Sequence, residues 1–179
     1  MKTIKIKTEI INNRVKAHKK YKLQLLKLID EMPNVSQGGV SKSDWDLPKN
    51  HPRKYLDLFY SKVIKSPMNI MRDYFEAETW HISNGWFQQY ETNSYHSWHN
   101  HPNANWTNVY FLELPDKTFK TKIKVQDKIL SYEAEEGDVI SFPAYLPHTS
   151  DKNQGGRKTI IAFNSNFDCG KVIVDEKNK

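Results

Sequence analysis

The chain has 179 residues, with 27 Lys and Arg against 21 Asp and Glu, a formal charge of +6 and a hydrophobic fraction of 37%. That length can bury one sizeable core, and 12% aromatic residues argue against disorder. No apolar run is long enough to span a bilayer, no leader pattern opens the chain, and the lone Cys169 excludes an internal disulfide framework and fits a reducing, cytoplasmic setting.

In chain order, KTIKIKTEI alternates charge with Ile and predicts an edge strand. From Val15 to Asp30, Tyr21, Leu25, Leu28 and Ile29 recur at helical spacing. EMPNVSQGG reads as loop. A second helix is predicted from Pro52 to Ile64, with Tyr55, Leu58, Phe59 and Val63 on one face. A third starts at Ser66-Pro67 and turns Ile70, Met71, Tyr74 and Phe75 inward. After Thr79 the composition changes to short β-branched and aromatic segments: WHISNGWFQQYETN, NWTNVYFLEL, FKTKIKV, KILSYEA, DVISF and KTIIAFN. SNG, LPDK, VQDK, EEGD and KNQGG separate them. The expected architecture is a mainly β, α+β domain over 1–179. A strand and helical layer over 1–78 packs on a sandwich or jelly-roll core over 79–175.

The lysines are dispersed through the N-terminus, the first helix, the KTFKTKIK strand and the tail, so nucleic-acid binding is not favoured. The histidines carry more information. YHSWHNHPNANW places His96, His99 and His101, three of the seven, within six positions. In an extended chain, side chains two apart share a face, so His99 and His101 can address one metal ion, while His96 falls on the other side. His148, behind the Gly-Asp turn of EGDVISFPAYLPHTSD, is the candidate third ligand. His18, His51 and His81 read as ordinary solvated or hydrogen-bonded histidines. Arg157, nine positions beyond His148, shares strand parity with Thr159. A buried arginine beside a hydroxyl suits a carboxylate, so both are expected to hold one near the metal.

These residues together resemble the Fe(II)/2-oxoglutarate-dependent dioxygenase superfamily, in particular the short cupin-like oxygenases of marine bacteria and their phages. The resemblance covers about residues 84–167: YETNSYHSWHNHPN, NVYFLELP and EGDVISFPAYLPHTSDKNQGGRKTIIAFNSNF. It implies a double-stranded β-helix with the metal at its open end. His99, His101 and His148 would be the iron ligands, and Arg157 with Thr159 would bind the distal carboxylate of 2-oxoglutarate. Tyr90 would be a second carboxylate partner. His96, Trp98, Asn105, Tyr110 and Asn164 are weaker candidates for the pocket wall. The superfamily at large uses H-x-D/E…H; here the middle position is His101, giving three neutral imidazoles. No glutamate follows at the cupin position, where Asn105 and Trp106 stand.

The implied activity is hydroxylation of an unidentified substrate using Fe(II), 2-oxoglutarate and O₂, in a bacterial cytoplasm or, for a phage protein, in that of its host. Trp98 and Trp106 would either shield the pocket or fill the sandwich core. Two alternatives stand beside this reading: a cupin-like metalloenzyme without 2-oxoglutarate, and a non-catalytic jelly-roll binding module. A homodimer is left open.

Overall fold

The computed structural model describes residues 8–35, 38–116 and 121–170. The edge strand expected over KTIKIKTEI lies mostly outside them; β1 is Ile11–Arg14 instead. Three helices follow, interleaved with the short β2, Lys42–Ser43. They are α1 (His18–Asp30), α2 (Lys54–Leu58, extended by a π-turn over Phe59–Val63) and α3 (Lys65–Tyr74). The rest is β: β3 Thr79–Tyr90, β4 His96–His99, β5 Trp106–Glu113, β6 Thr121–Val125 and β7 Lys128–Tyr132. The series ends with β8 Asp138–Pro143, β9 His148–Ser150 and β10 Lys158–Asp168.

The described strands form two antiparallel sheets, a six-stranded one ordered β1-β8-β5-β10-β3-β2 and a four-stranded one ordered β4-β9-β6-β7. The central strands of the large sheet are covered on both sides. This explains why β5, β8 and β10 read as near-continuous buried runs rather than alternating ones. Along β10, Ile161 and Phe163 enter the core under the helices, with Leu25, Ile29, Tyr55, Phe59 and Met68. Ile160 instead enters the core between the sheets, with Tyr90, Val109, Phe111, Ile123 and Phe142. Each such fully buried side chain contributes about 1.5–3 kcal/mol relative to exposure.

The helices differ in detail from expectation. α3 begins at Lys65 without a side-chain cap. Its buried face is Pro67, Met68 and Met71, while Ile70 and Tyr74 are exposed. A ten-residue helix turns only one stripe to the sheet, and the predicted inward set spans more than that stripe. His18 is buried and satisfied. Its Nε2–H donates to Glu136 Oε1 (3.2 Å), leaving Nδ1 to accept from the Tyr110 hydroxyl (2.7 Å). Burial lowers its pKa, which keeps the ring neutral.

Candidate metal centre

β4 and β9 pair so that His99 stands opposite His148 and His96 opposite Ser150. Between these pairs, Ser97 and Trp98 face the single Thr149, a bulge that cancels the alternation of β4. His96 is therefore not on the far side: its ring stacks on His99 with centroids 3.9 Å apart. After β4 the chain turns through Pro102 and Asn103, the latter left-handed at φ 67°, into β5. Two backbone bonds, His101 N–H to Ala144 O and Ala144 N–H to Asn105 O (both 2.9 Å), fasten this loop to the β8–β9 connection. The result brings His99, His101 and His148 together, one nitrogen from each lying within 4.8 Å of the others.

Three observations fit a divalent metal here. His99 Nδ1–H donates to Ser97 O (2.8 Å) and His148 Nδ1–H to Leu146 O (3.1 Å), so in both neutral rings Nε2 carries the lone pair. His101 Nε2 is buried with no hydrogen-bond partner among the described residues. An orphaned buried nitrogen is costly unless something coordinates it. Burial, followed by the neighbouring imidazoles, pushes His148 down to about 3 and His101 to about 4; burial lowers His99 as well. All three are neutral at pH 7, the state that ligates. Trp86 stacks on His101 (5.3 Å, 15°) and holds that ring in place.

The triad lines an inner chamber between the sheets with Gln88, Tyr90, His96 and Lys158. Lys158 is 1% exposed, donates to Ser150 Oγ (2.9 Å), and sits over the Tyr90 ring at 4.9 Å. Burial pulls its pKa down to about 8, so it is still mostly charged at neutral pH. The Tyr90 hydroxyl donates to Gln88 Oε1 (2.8 Å), which fixes the amide; Gln88 Nε2–H then donates to His96 Nδ1 (3.2 Å), leaving a proton on His96 Nε2.

Several sequence candidates lie elsewhere. Arg157 and Thr159 share a face as expected, but it is the face toward the helices. Arg157 binds Glu113 (2.9 Å) and Asp30 (3.1 Å), and the Thr159 hydroxyl donates to Glu113 (2.9 Å). Tyr110 belongs to the core under the helices. Trp98 is 45% exposed, and Asn105 is exposed with its backbone N–H bonded to Asn166. Trp106 packs on Phe75 beneath the helices, at 4.8 Å, so it fills core rather than shielding the site. Tyr90, His96 and Asn164 do face the site region. Lys158 was missed. Its signal in the sequence is weak, because KTIIAFN is apolar on both faces and does not disclose which residues point inward.

No protein-family model matches the sequence, and no curated protein does. Solved structures do. The epimerase SnoN of nogalamycin biosynthesis, a non-haem α-ketoglutarate-dependent enzyme, matches at TM-score 0.68 and 10% identity over 89% of this chain and 78% of its own. A 2OG-Fe(II) oxygenase-family protein from Burkholderia pseudomallei matches at 0.66 and 13%, over 88% and 84%. HygX from Streptomyces hygroscopicus, solved with nickel and 2-oxoglutarate bound, matches at 0.66 and 11%, over 89% and 83%. At these identities the likeness is one of fold. The chain has the double-stranded β-helix fold of the 2OG-Fe(II) oxygenases, with a His-x-His…His triad set between its sheets.

Proposed function

We propose that the protein is an Fe(II)- and 2-oxoglutarate-dependent oxygenase, with His99, His101 and His148 holding the metal. The observation that carries this is that one chamber is lined by both the three neutral imidazoles and the buried Lys158 ammonium. 2-Oxoglutarate is a diacid with matching ends, a keto acid that chelates a metal and a distal carboxylate that needs a cation. The Lys158 ammonium, set in the chamber wall beside Ser150, is suited to donate a charge-assisted hydrogen bond to that distal carboxylate. Lys158 thus takes the role first expected of Arg157.

Bound iron supplies chelation of the keto acid and its O₂-driven decarboxylation coupled to hydroxylation of a substrate C–H bond. The protein's residues do the rest. Lys158 and Ser150 orient the distal carboxylate, with Tyr90 closing that end of the chamber. The two backbone carbonyls keep His99 and His148 in the ligating tautomer. Phe142, edge-on to His148 at 4.8 Å, and Trp86, stacked on His101, set apolar surface against the triad.

Anaerobic addition of Fe(II) and then 2-oxoglutarate tests the reading, through the weak visible charge-transfer band of the chelate. Its appearance in wild type and loss in Lys158→Ala support it. Iron-loaded protein that develops no band would return the chain to a jelly-roll metalloenzyme that does not use 2-oxoglutarate.

A further inference from the structure

Beyond the triad the chamber opens into a cleft of about 340 Å³, lined by residues of both the β core and the N-terminal layer. That volume is at the small end of cavities that enclose organic ligands. Although the chain carries a formal charge of +6, no Lys, Arg, Asp or Glu among the described residues lines this cleft. Besides His96, His99 and His101 at its floor and the Ser43 hydroxyl, its polar groups are neutral amides, Asn84, Asn100, Asn164 and Gln88, and Trp45 and Trp86 form the aromatic part of its wall.

Trp45 is the unusual member. It is 46% exposed, yet it meets Trp86 edge-to-face with centroids 4.3 Å apart. The segment beneath it is fastened by hydrogen bonds. Asp44, wholly buried, accepts from the Tyr55 hydroxyl (2.7 Å), Arg53 Nε (2.8 Å) and Phe87 N–H (3.0 Å). Ser43 accepts from the Trp45 N–H (3.2 Å) and donates to Phe87 O (2.9 Å). A large aromatic held half-exposed on so firm a support has lost its backbone freedom in advance, which is what a stacking platform requires.

Taking the triad as the reacting centre, we infer that the cleft takes a neutral, ring-bearing small molecule. The ring lies against Trp45 and Trp86, and its hydroxyl or amide groups bond to the four amide side chains. A charged group lying along the Trp45–Trp86 wall would be desolvated with no charged side chain of the described lining beside it. The inference rests on the proposed function, and it also gives residues 40–45 a role: they carry the specificity surface.

The test uses the full chain and three pairs of probes: thymidine against thymidine monophosphate, methyl glucoside against glucuronic acid, and N-acetylprolinamide against N-acetylproline. Ligand-observed NMR without added iron or 2-oxoglutarate reads binding alone, so a failed charge-transfer titration and a failed ring site remain distinguishable. The expected result is that at least one neutral probe binds and its charged counterpart binds roughly tenfold more weakly or worse. Trp45→Ala should weaken that probe about tenfold and Trp45→Phe should largely retain it, with thermal midpoints unchanged. Equal or tighter binding of the charged partner, an unaffected Trp45→Ala variant, or no neutral probe bound at millimolar concentration overturns the inference.

Discussion

The two faces of β10 are one residue apart in sequence and different in purpose. The inward face carries Lys158, Ile160 and Ala162 toward the histidines. The outward face carries Thr159, Ile161 and Phe163 toward the helices, with Arg157 just before the strand bound to Glu113 and Asp30. Both faces place a cation near the same end of the sheet. Arg157 is about one-third exposed and neutralised by two carboxylates, so it ties α1 to the sheet. Lys158 is enclosed in the chamber that the three histidines line, which is where the proposed function uses it. Proximity to a distal histidine in sequence does not distinguish them; burial and face do.

The comparison breaks most directly at the triad. His148→Ala should lower affinity for Fe(II), or for Ni(II) as a redox-silent surrogate, by more than about 100-fold, because even outer-shell changes cost about 10–100-fold. Isothermal titration checks it; unchanged affinity would place the metal elsewhere. Next comes the contrast of the two cations. Lys158→Ala should weaken 2-oxoglutarate by about 30-fold or more, the consequence of removing one partner of a buried charge pair at about 2–5 kcal/mol. Arg157→Ala should leave that affinity within about threefold and instead lower stability by about 1–2 kcal/mol, since Glu113 loses its strongest donor. Denaturation and 2-oxoglutarate titration of both variants would reveal a reversed pattern at once.

The same lysine gives opposite pH trends for binding and for folding. Burial holds its folded pKa to about 8, against 10.5 ordinarily. Above pH 8 the ammonium discharges, so 2-oxoglutarate affinity should fall by up to about tenfold per pH unit. Between about 8 and 10.5 the unfolded chain holds the proton more tightly than the folded one, so this group's contribution to stability rises with pH. Its destabilisation is fully present below 8 and gone above 10.5. Lys158→Met should abolish both trends, read by titration and by denaturation from pH 7 to 10.

Much of the fold and the triad was legible in the sequence, because period and turn chemistry are local. The helix over α1 and the strand series after Thr79 follow from spacing, and the H-x-H pair with a later histidine was legible as a set of ligand types, although His101 lies in the loop after β4 rather than on the strand with His99. Two kinds of information were not local. The bulge in β4 depends on how β9 pairs with it, so His96 could not be placed by counting residues. The orientation of β10 depends on layers covering both faces, which leaves IIAF without polar alternation. Tyr110 fails for the same reason: NVYFLEL, in a central strand, does not show that Val109 and Phe111 point one way and Tyr110 the other.

Tyr110 therefore supplies the mildest test of the two-face division. Its hydroxyl donates to His18 Nδ1, and His18 Nε2–H donates to Glu136, which also receives Lys22 Nζ (2.6 Å). This chain of bonds fixes the start of α1 to the sheet, on the side away from the histidine triad. Tyr110→Phe keeps the ring in the core and removes one buried donor, leaving His18 Nδ1 unpaired. The expected cost is about 1–2 kcal/mol, or roughly 2–8 °C in thermal midpoint for a chain of this size. Metal affinity, 2-oxoglutarate affinity and any turnover should stay at wild-type values. A Tyr110→Phe protein of unchanged stability but weakened 2-oxoglutarate binding would put that side chain in the chamber, and with it the outward face of the large sheet.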